Sequence, residues 1–349
     1  MIMKKLKYIS IAFSILLLAA SVIPFAFPLT DTSLFTGNYR IPYSMGDDYF
    51  LYSRYSKHIE SGNTIPVIGD SVIWGHYTDS SHTLSANLNN LSHEFKFSNM
   101  GLDGIHPAAM NGLMNLYPAG YKKRKIIVGI NLLWMSSPRH DLTGAVNSEI
   151  NHKSLLPQVS ISIPSYQPSF EERLSSLITR SVPVFTWIDH IRLTRFAEKS
   201  FYAWTMENPH KNVINYFSRD MDDFKTPPGI EPDKMQEQNI NWVTPDKSLQ
   251  WKFMIETLLY FKTRGNEIAA IITPFNTYMM TGNSREQYFS ILSEMEKILR
   301  ANGIIPVIPS KPGKKYFADS SHPTAEGYKL IAEDIMKNRE FIKFLKKPQ

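Results

Sequence analysis

Short apolar runs that end near glycine or asparagine and give way to segments of helical period recur along this 349-residue chain, and they constrain its fold more than any other feature. Residues 64–68 (Thr-Ile-Pro-Val-Ile) stop at Gly69, and residues 125–130 run into Asn131. Residues 268–273 and 304–308 are further runs of this kind, and Phe95-Lys96-Phe97 alternates as a strand ahead of Asn99. Between the runs, Leu84, Leu88 and Leu91 share one helical face, and residues 107–116 suit a helix. Trp251, Met254, Ile255, Leu258 and Leu259 form another such face with Gly265 beyond it. Tyr288, Ile291, Leu292, Met295, Ile298 and Leu299 repeat the pattern ahead of Gly303, and Tyr328, Ile331, Ala332 and Ile335 repeat it near the end. Strands alternating with helices predict an α/β fold: a parallel sheet between two helical layers, with functional residues at the carboxyl ends of the strands.

The rhythm lapses over residues 136–247, a stretch too long for a loop, which predicts a mainly helical insertion. Ser169 and Glu172 form a capping-box pattern there. Phe185, Trp187, Phe196, Phe201, Tyr202 and Trp204 make the next part aromatic, suited to a lid, an acyl-chain pocket, a membrane contact through the tryptophans, or the core of a subdomain. Residues 30–63 read as an irregular, aromatic-containing connector, and residues 64–345 as the main domain.

Charge and composition narrow the function. The formal charge is +6, and without Lys4, Lys5 and Lys7 only +3 remains, with no basic stripe interleaved with aromatics; nucleic acid is not an expected partner. With no cysteine, disulfides, thiolate metal sites and a cysteine nucleophile are excluded. The three lysines precede an uncharged stretch over residues 8–29, long enough to span a bilayer, with its start held in the cytoplasm. Ala19-Ala20-Ser21 would suit a signal-peptide cleavage site, but Val22, Ile23, Phe25 and Phe27 continue the apolar run and favour an uncleaved anchor over residues 1–29. Either way the domain is expected outside the cytoplasm, periplasmic or extracellular.

The chemistry-bearing residues lie at the two ends of the domain. Gly69-Asp70-Ser71 places a serine on a strand-to-helix turn, and Asp319-Ser320-Ser321-His322-Pro323 supplies a carboxylate and an imidazole three residues apart ahead of a helix. A nucleophile, a base and a group to orient the base are what acyl transfer through a serine ester needs. Gly101 and Asn131, expected just after the second and third strands, are candidate donors to a developing oxyanion, together with the amide of Ser71. Asp103 and His106 repeat the acid–base spacing and form a rival pair. His76 and His82 lie close to Ser71 in sequence but lack metal-ligand spacing.

Four elements in this order, Gly69-Asp70-Ser71, Asn99-x-Gly101, Gly129-x-Asn131 and Asp319-x-x-His322-Pro323, resemble the SGNH/GDSL hydrolase superfamily over residues 64–135 and 250–338. Thr324-Ala325-Glu326-Gly327-Tyr328 resembles that family's last helix, whereas Leu132 stands where the family usually has an acidic residue. The resemblance implies a three-layer α/β/α fold and Ser71 as nucleophile. It implies His322 as base, Asp319 as its partner, and an oxyanion hole of the Ser71 amide, Gly101 and Asn131. No cofactor or metal is implied. The anchor and exported domain are similar to accessory proteins that work beside membrane-bound O-acyltransferases in cell-envelope modification. The expected function is hydrolysis of acyl esters on envelope polysaccharide or another acyl-ester substrate. The alternatives are acyl transfer onto such a polysaccharide and a catalytically silent envelope-binding scaffold.

Overall fold

The computed structural model describes residues 8–16, 18, 21–22, 35, 37–117, 121–144, 149–159, 162–197, 199–212 and 234–347. Five strands, β1 Ile65–Gly69, β2 Phe97–Gly101, β3 Lys125–Ile130, β4 Glu267–Ile272 and β5 Ile305–Val307, form one sheet in the order β2-β1-β3-β4-β5. Every pairing is parallel. All strands but β2 are rich in isoleucine and valine, whose branched side chains suit a pleated surface, and β3 is buried along its whole length, as a strand covered on both faces must be.

Alternation along the strands separates two cores. Ile68, Met100, Ile126, Val128, Ala270 and Ile272 face one way, towards helices Tyr49–Ser61, Pro107–Leu116, Leu249–Thr263 and Gly282–Ala301. Val67, Ile127, Ala269, Ile271 and Val307 face the other way, towards helices Leu84–Leu91, Ala325–Ile335 and Arg339–Lys346. The expected three layers are therefore present. In this strand order, β1 and β3 are neighbours whose following connections run to opposite sides, which opens a crevice at their carboxyl ends.

Two expectations need correction. Residues 30–63 are not irregular throughout: Tyr49–Ser61 is a helix capped by Asp48, whose Oδ1 accepts from the Leu51 amide at 2.8 Å. It carries Tyr49, Tyr52, Tyr55 and Ile59 into the main core. Its buried face is built largely of tyrosine, so a search for leucine and isoleucine at helical spacing passes over it. Asn99 and Gly101 lie inside β2 rather than after it, because the strand runs four residues past Phe97.

Within the insertion, Phe170–Ser181, Pro183–Arg195 and Phe201–Glu207 are helices, and the Ser169/Glu172 capping box is formed. The insertion is tied to the domain by His190 Nδ1 and Asp48 Oδ2, 2.7 Å apart and fully buried. Trp204 is buried against Phe196, with ring centroids 5.4 Å apart, so it packs the subdomain. Near the N-terminus, residues 8–16, 18 and 21–22 are helical; the remainder of the expected anchor lies outside the described residues. Among the described residues no helix is long and apolar enough to cross a membrane.

A row of three glycines sets the height of the turn after β1. Gly69 and Gly101 are register partners across β1 and β2, and Gly129 lies beside Gly69 on β3. A Cβ on Gly69 or Gly129 would come within 2.3 or 2.4 Å of Ile73 Cγ1, and one on Gly101 within 2.3 Å of the Trp74 amide nitrogen. The short helix Ser71–Trp74 therefore rests directly on sheet backbone. Gly101→Ala meets main chain, which cannot rotate away as a side chain can. It is expected to destabilise the protein by about 1–3 kcal/mol in urea unfolding and to slow covalent labelling of Ser71. Unchanged stability and labelling would show that the turn is not seated on this row.

Candidate active site

The residues singled out from opposite ends of the domain meet above that row. Ser71 is the first residue of its helix, and Asp70 caps it, Oδ1 accepting from the Val72 amide at 3.0 Å. The connector clamps the helix from outside. Trp74 Nε1 donates to the Ile41 carbonyl at 2.6 Å, and the Arg40 guanidinium lies 4.0 Å from the Trp74 ring centre. Arg40 also donates to the Gly75 carbonyl at 3.0 Å.

Asp319 and His322 sit on a tight loop after β5. Asp319 Oδ1 accepts from the amides of Ser321 and His322, each at 2.8 Å, which fixes the carboxylate against its own turn. Ala318 donates to the His322 carbonyl at 2.8 Å, and buried Asn276, beyond β4, donates to the carbonyls of Ser320 and Asp319 at 2.8 and 3.1 Å. Thr324 then caps helix Ala325–Ile335. The imidazole is thereby aimed back at the first strand: His322 Nε2 lies 2.8 Å from Ser71 Oγ, and Nδ1 lies 2.7 Å from Asp319 Oδ2. The carboxylate places the ring proton on Nδ1 and leaves Nε2 to accept from the serine.

Burial alone would lower the His322 pKa. The hydrogen bond and charge of Asp319, with the charges of Asp70 and Asp103, outweigh it and leave the group above its ordinary 6.5. Asp319 is itself subject to burial, which raises it, yet the bond to His322 and the two amides bring it below its usual range. The pair is thus biased towards its charged forms, carboxylate beside imidazolium, and the neutral base is populated only above the raised pKa of His322.

The three expected oxyanion donors differ in how their N–H groups are engaged. The Ser71 amide opens a helix, where a backbone N–H has no acceptor within the helix. Asn131 follows β3 directly; its Oδ1 accepts from Leu133 and its Nδ2 donates one hydrogen to Asp70 Oδ2 at 2.9 Å, leaving the second hydrogen of that amide. The Gly101 amide is engaged within its own strand, donating to Asn99 Oδ1 at 3.0 Å. Gly101 is therefore removed from the donor set, and its part is steric. Asn99 Nδ2 in turn donates to the carbonyls of Ile73 and Trp74 at 3.0 and 3.2 Å, tying β2 to the nucleophile helix.

Residues outside the expected set also take part. Trp134 Nε1 donates to Asp70 Oδ2 at 2.8 Å, so one buried carboxylate holds Asn131, Trp134 and the helix start together. Burial raises the pKa of Asp70 despite these three donors. The sequence signal for Trp134 is its place three residues after Asn131, on the short turn Leu132–Met135. His76 Nδ1 bonds Asp103 Oδ1 at 2.7 Å, and its ring lies 4.9 Å from that of His322.

The rival pair is not formed. His106 is buried, its Nε2 lies 3.2 Å from the Asn151 carbonyl, and its Nδ1 accepts from the Ala109 amide and Gln250 Nε2. Burial, aided by the charge of His152, pushes its pKa down to about 3, so it serves as a neutral helix cap. His82 is exposed and bonds Asp79 Oδ1 at 2.7 Å. Among the described residues no group of three or more histidine, aspartate or glutamate side chains is placed to hold a metal ion.

No family model matches the sequence, and no curated protein does. Among solved structures, the chain is similar to a protein described as a GDSL-like lipase from Bacteroides ovatus ATCC 8483, at 13% identity and a TM-score of 0.34. That match covers 81% of this chain and 54% of the other, so this chain spans about half the length of that protein. It is also similar to a carbohydrate acetylesterase family member from Sinorhizobium meliloti, at 10% identity and a TM-score of 0.34, covering 81% of this chain and 99% of that one. Both likenesses are remote. The chemistry of this chain rests on its own geometry.

A neutral His322 accepts the serine proton and an imidazolium does not, so activity is expected to fall on acidification through a midpoint above pH 6.5. Asp319→Asn removes the largest opposing influence and is expected to move that limb to lower pH while cutting kcat by roughly 10³–10⁴-fold. A pH–rate profile of kcat/KM with both proteins reads the two effects separately, and an unmoved limb would dissociate Asp319 from the base. His106→Ala is expected to lower thermal stability but to leave the position of the limb where it is.

Proposed function

We propose that the protein is a serine-dependent acyl-ester hydrolase or acyltransferase in which Ser71 is the nucleophile, His322 the general base and Asp319 its orienting carboxylate. The observation that supports this reading is the continuous line Asp319 Oδ2, His322 Nδ1, His322 Nε2, Ser71 Oγ, with 2.7 and 2.8 Å at its two hydrogen bonds. Ser71 Oγ attacks the ester carbonyl carbon as its proton passes to His322 Nε2. The carbonyl electron pair moves onto oxygen, facing the Ser71 amide and the remaining Asn131 Nδ2 hydrogen. Collapse of the tetrahedral species breaks the bond to the alcohol oxygen, which takes the proton from Nε2 and departs. The acyl-serine is then attacked by water or by a second hydroxyl in the same steps reversed, and Asp319 remains charged throughout.

Water as acceptor gives an esterase, and a carbohydrate hydroxyl gives a transferase. In the same reading the basic and apolar N-terminus, Lys4, Lys5 and Lys7 ahead of residues 8–29, is a signal anchor. It holds the domain outside the cytoplasm, where acylated envelope polysaccharide is the substrate and a membrane-bound O-acyltransferase is a fitting partner.

A fluorophosphonate is expected to label Ser71, and a short activated ester to be hydrolysed. Ser71→Ala is expected to abolish labelling and to reduce kcat on the order of 10⁴-fold or more. Mass spectrometry of the labelled peptide identifies the nucleophile. Activity that survives Ser71→Ala would reject the assignment, and a wild-type protein that folds, binds polysaccharide and takes no label would favour the silent scaffold.

A further inference from the structure

Beside His322 lies the His76 ring, centroids 4.9 Å apart, and His76 is fixed to Asp103. Asp103 also lines a pocket of about 220 Å³. Tyr43, Ser44 and Asp47 of the connector form one side of it, and Asn151 and His152 of the insertion another. Each of these side chains carries a hydroxyl, carboxylate, amide or imidazole group; apart from the Tyr43 ring, none offers an apolar surface.

The walls are braced rather than loosely assembled. His152 Nδ1 lies 2.9 Å from Asp47 Oδ1 and 3.0 Å from the Tyr49 hydroxyl, and its Nε2 lies 2.9 Å from the Asp103 carbonyl. Asn151 sits so close to Gly104 that a Cβ there would come within 2.6 Å of Asn151 Nδ2. Gly104 has φ +72°, so the loop after β2 takes a backbone shape that suits glycine and admits this contact.

Proton transfer decides which half of an ester belongs on this side. His322 Nε2 must return the serine proton to the departing alcohol oxygen, so the alcohol half lies towards the imidazole and the acyl group leads away from it. An acceptor hydroxyl enters by the same route, because breakdown of the acyl-serine reverses its formation. We infer that the pocket bounded by Tyr43, Ser44, Asp47, Asp103, Asn151 and His152 is the subsite for the alcohol half of the ester and takes a single sugar ring, neutral or amino-bearing. This rests on the acyl-serine reading above. The volume is below the roughly 300–1,000 Å³ of pockets that enclose drug-sized ligands, which suits one ring. The polar lining suits hydroxyl groups, and the Tyr43 ring offers a flat face to the C–H side of a pyranose. Asp47 and Asp103 place two carboxylates in the lining, which disfavours uronic acids and phosphate-bearing polyols.

The test uses the full chain and two esters, methyl 6-O-acetyl-glucoside and 4-nitrophenyl acetate. Ser44→Trp fills the pocket, and Asn151→Ala removes one amide from its wall. In each variant the kcat/KM ratio of glycoside to activated ester is expected to fall about tenfold or more, carried by KM for the glycoside. Labelling of Ser71 by a fluorophosphonate is read in parallel to report that the triad is formed. If Ser44→Trp does not fold, Asn151→Ala decides. Ratios equal to wild type in the folded variants would overturn the subsite. So would a labelled wild type that prefers methyl 3-O-acetyl-glucuronoside to methyl 3-O-acetyl-glucoside, or one that hydrolyses only the activated ester. Absence of labelling in the wild type would instead remove the acyl-serine reading on which the subsite depends.

Discussion

The site depends on how closely a helix can approach a sheet. Gly69, Gly101 and Gly129 present bare backbone at one level across three neighbouring strands, and the turn Ser71–Trp74 settles onto it through Ile73 and the main chain of Trp74. Any side chain at these positions would lift the turn by an appreciable fraction of a bond length or more, and the hydrogen bond from Ser71 to His322 has no such tolerance. The resemblance singled out Gly101 as an amide donor. In the folded chain its missing Cβ matters, while its amide serves Asn99.

A second requirement is that two loops separated by 251 residues arrive together and remain charged in the right order. Asn276 fastens the Asp319 loop to the end of β4, and Asp70 fastens the helix start to the end of β3 through Asn131 and Trp134. Both clamps use buried polar groups: Asp70 accepts from three donors, and Asn276 donates to two carbonyls of the loop, an arrangement that costs stability but leaves few alternative geometries. The result is a preorganised pair of heteroatoms at the mouth of the crevice between β1 and β3.

Much of this was legible in the residues. Apolar runs dense in isoleucine and valine located β1, β3, β4 and β5 to within a residue or two, because a strand buried on both faces has little freedom in composition. Helix Pro107–Leu116 fell where its pattern placed it, and so did the capping box at Ser169. Ser71, His322 and Asp319 could be named because their motifs fall in a restrictive strand context and order; the acid–base spacing ahead of a proline does not decide alone, since Asp103, His106 and Pro107 repeat it. What escaped has a physical reason in each case. The tyrosine-faced helix Tyr49–Ser61 lacks the aliphatic period, and the length of β2 is hidden by its polar Ser98 and Asn99. The pairing of Asp103 with His76 rather than His106 depends on tertiary position, since either histidine has a sequence position that admits it.

The division of labour between the sheet and its surroundings has a consequence for how such a protein can be altered. The reacting atoms stand on strand ends and glycines that admit almost no variation, whereas the cleft beside them is framed by the connector before β1 and the insertion after β3. On the proposed reading, reactivity and selectivity are encoded in separate stretches of polypeptide, so that exchanging the framing segments changes the alcohol accepted while the serine beneath keeps its chemistry.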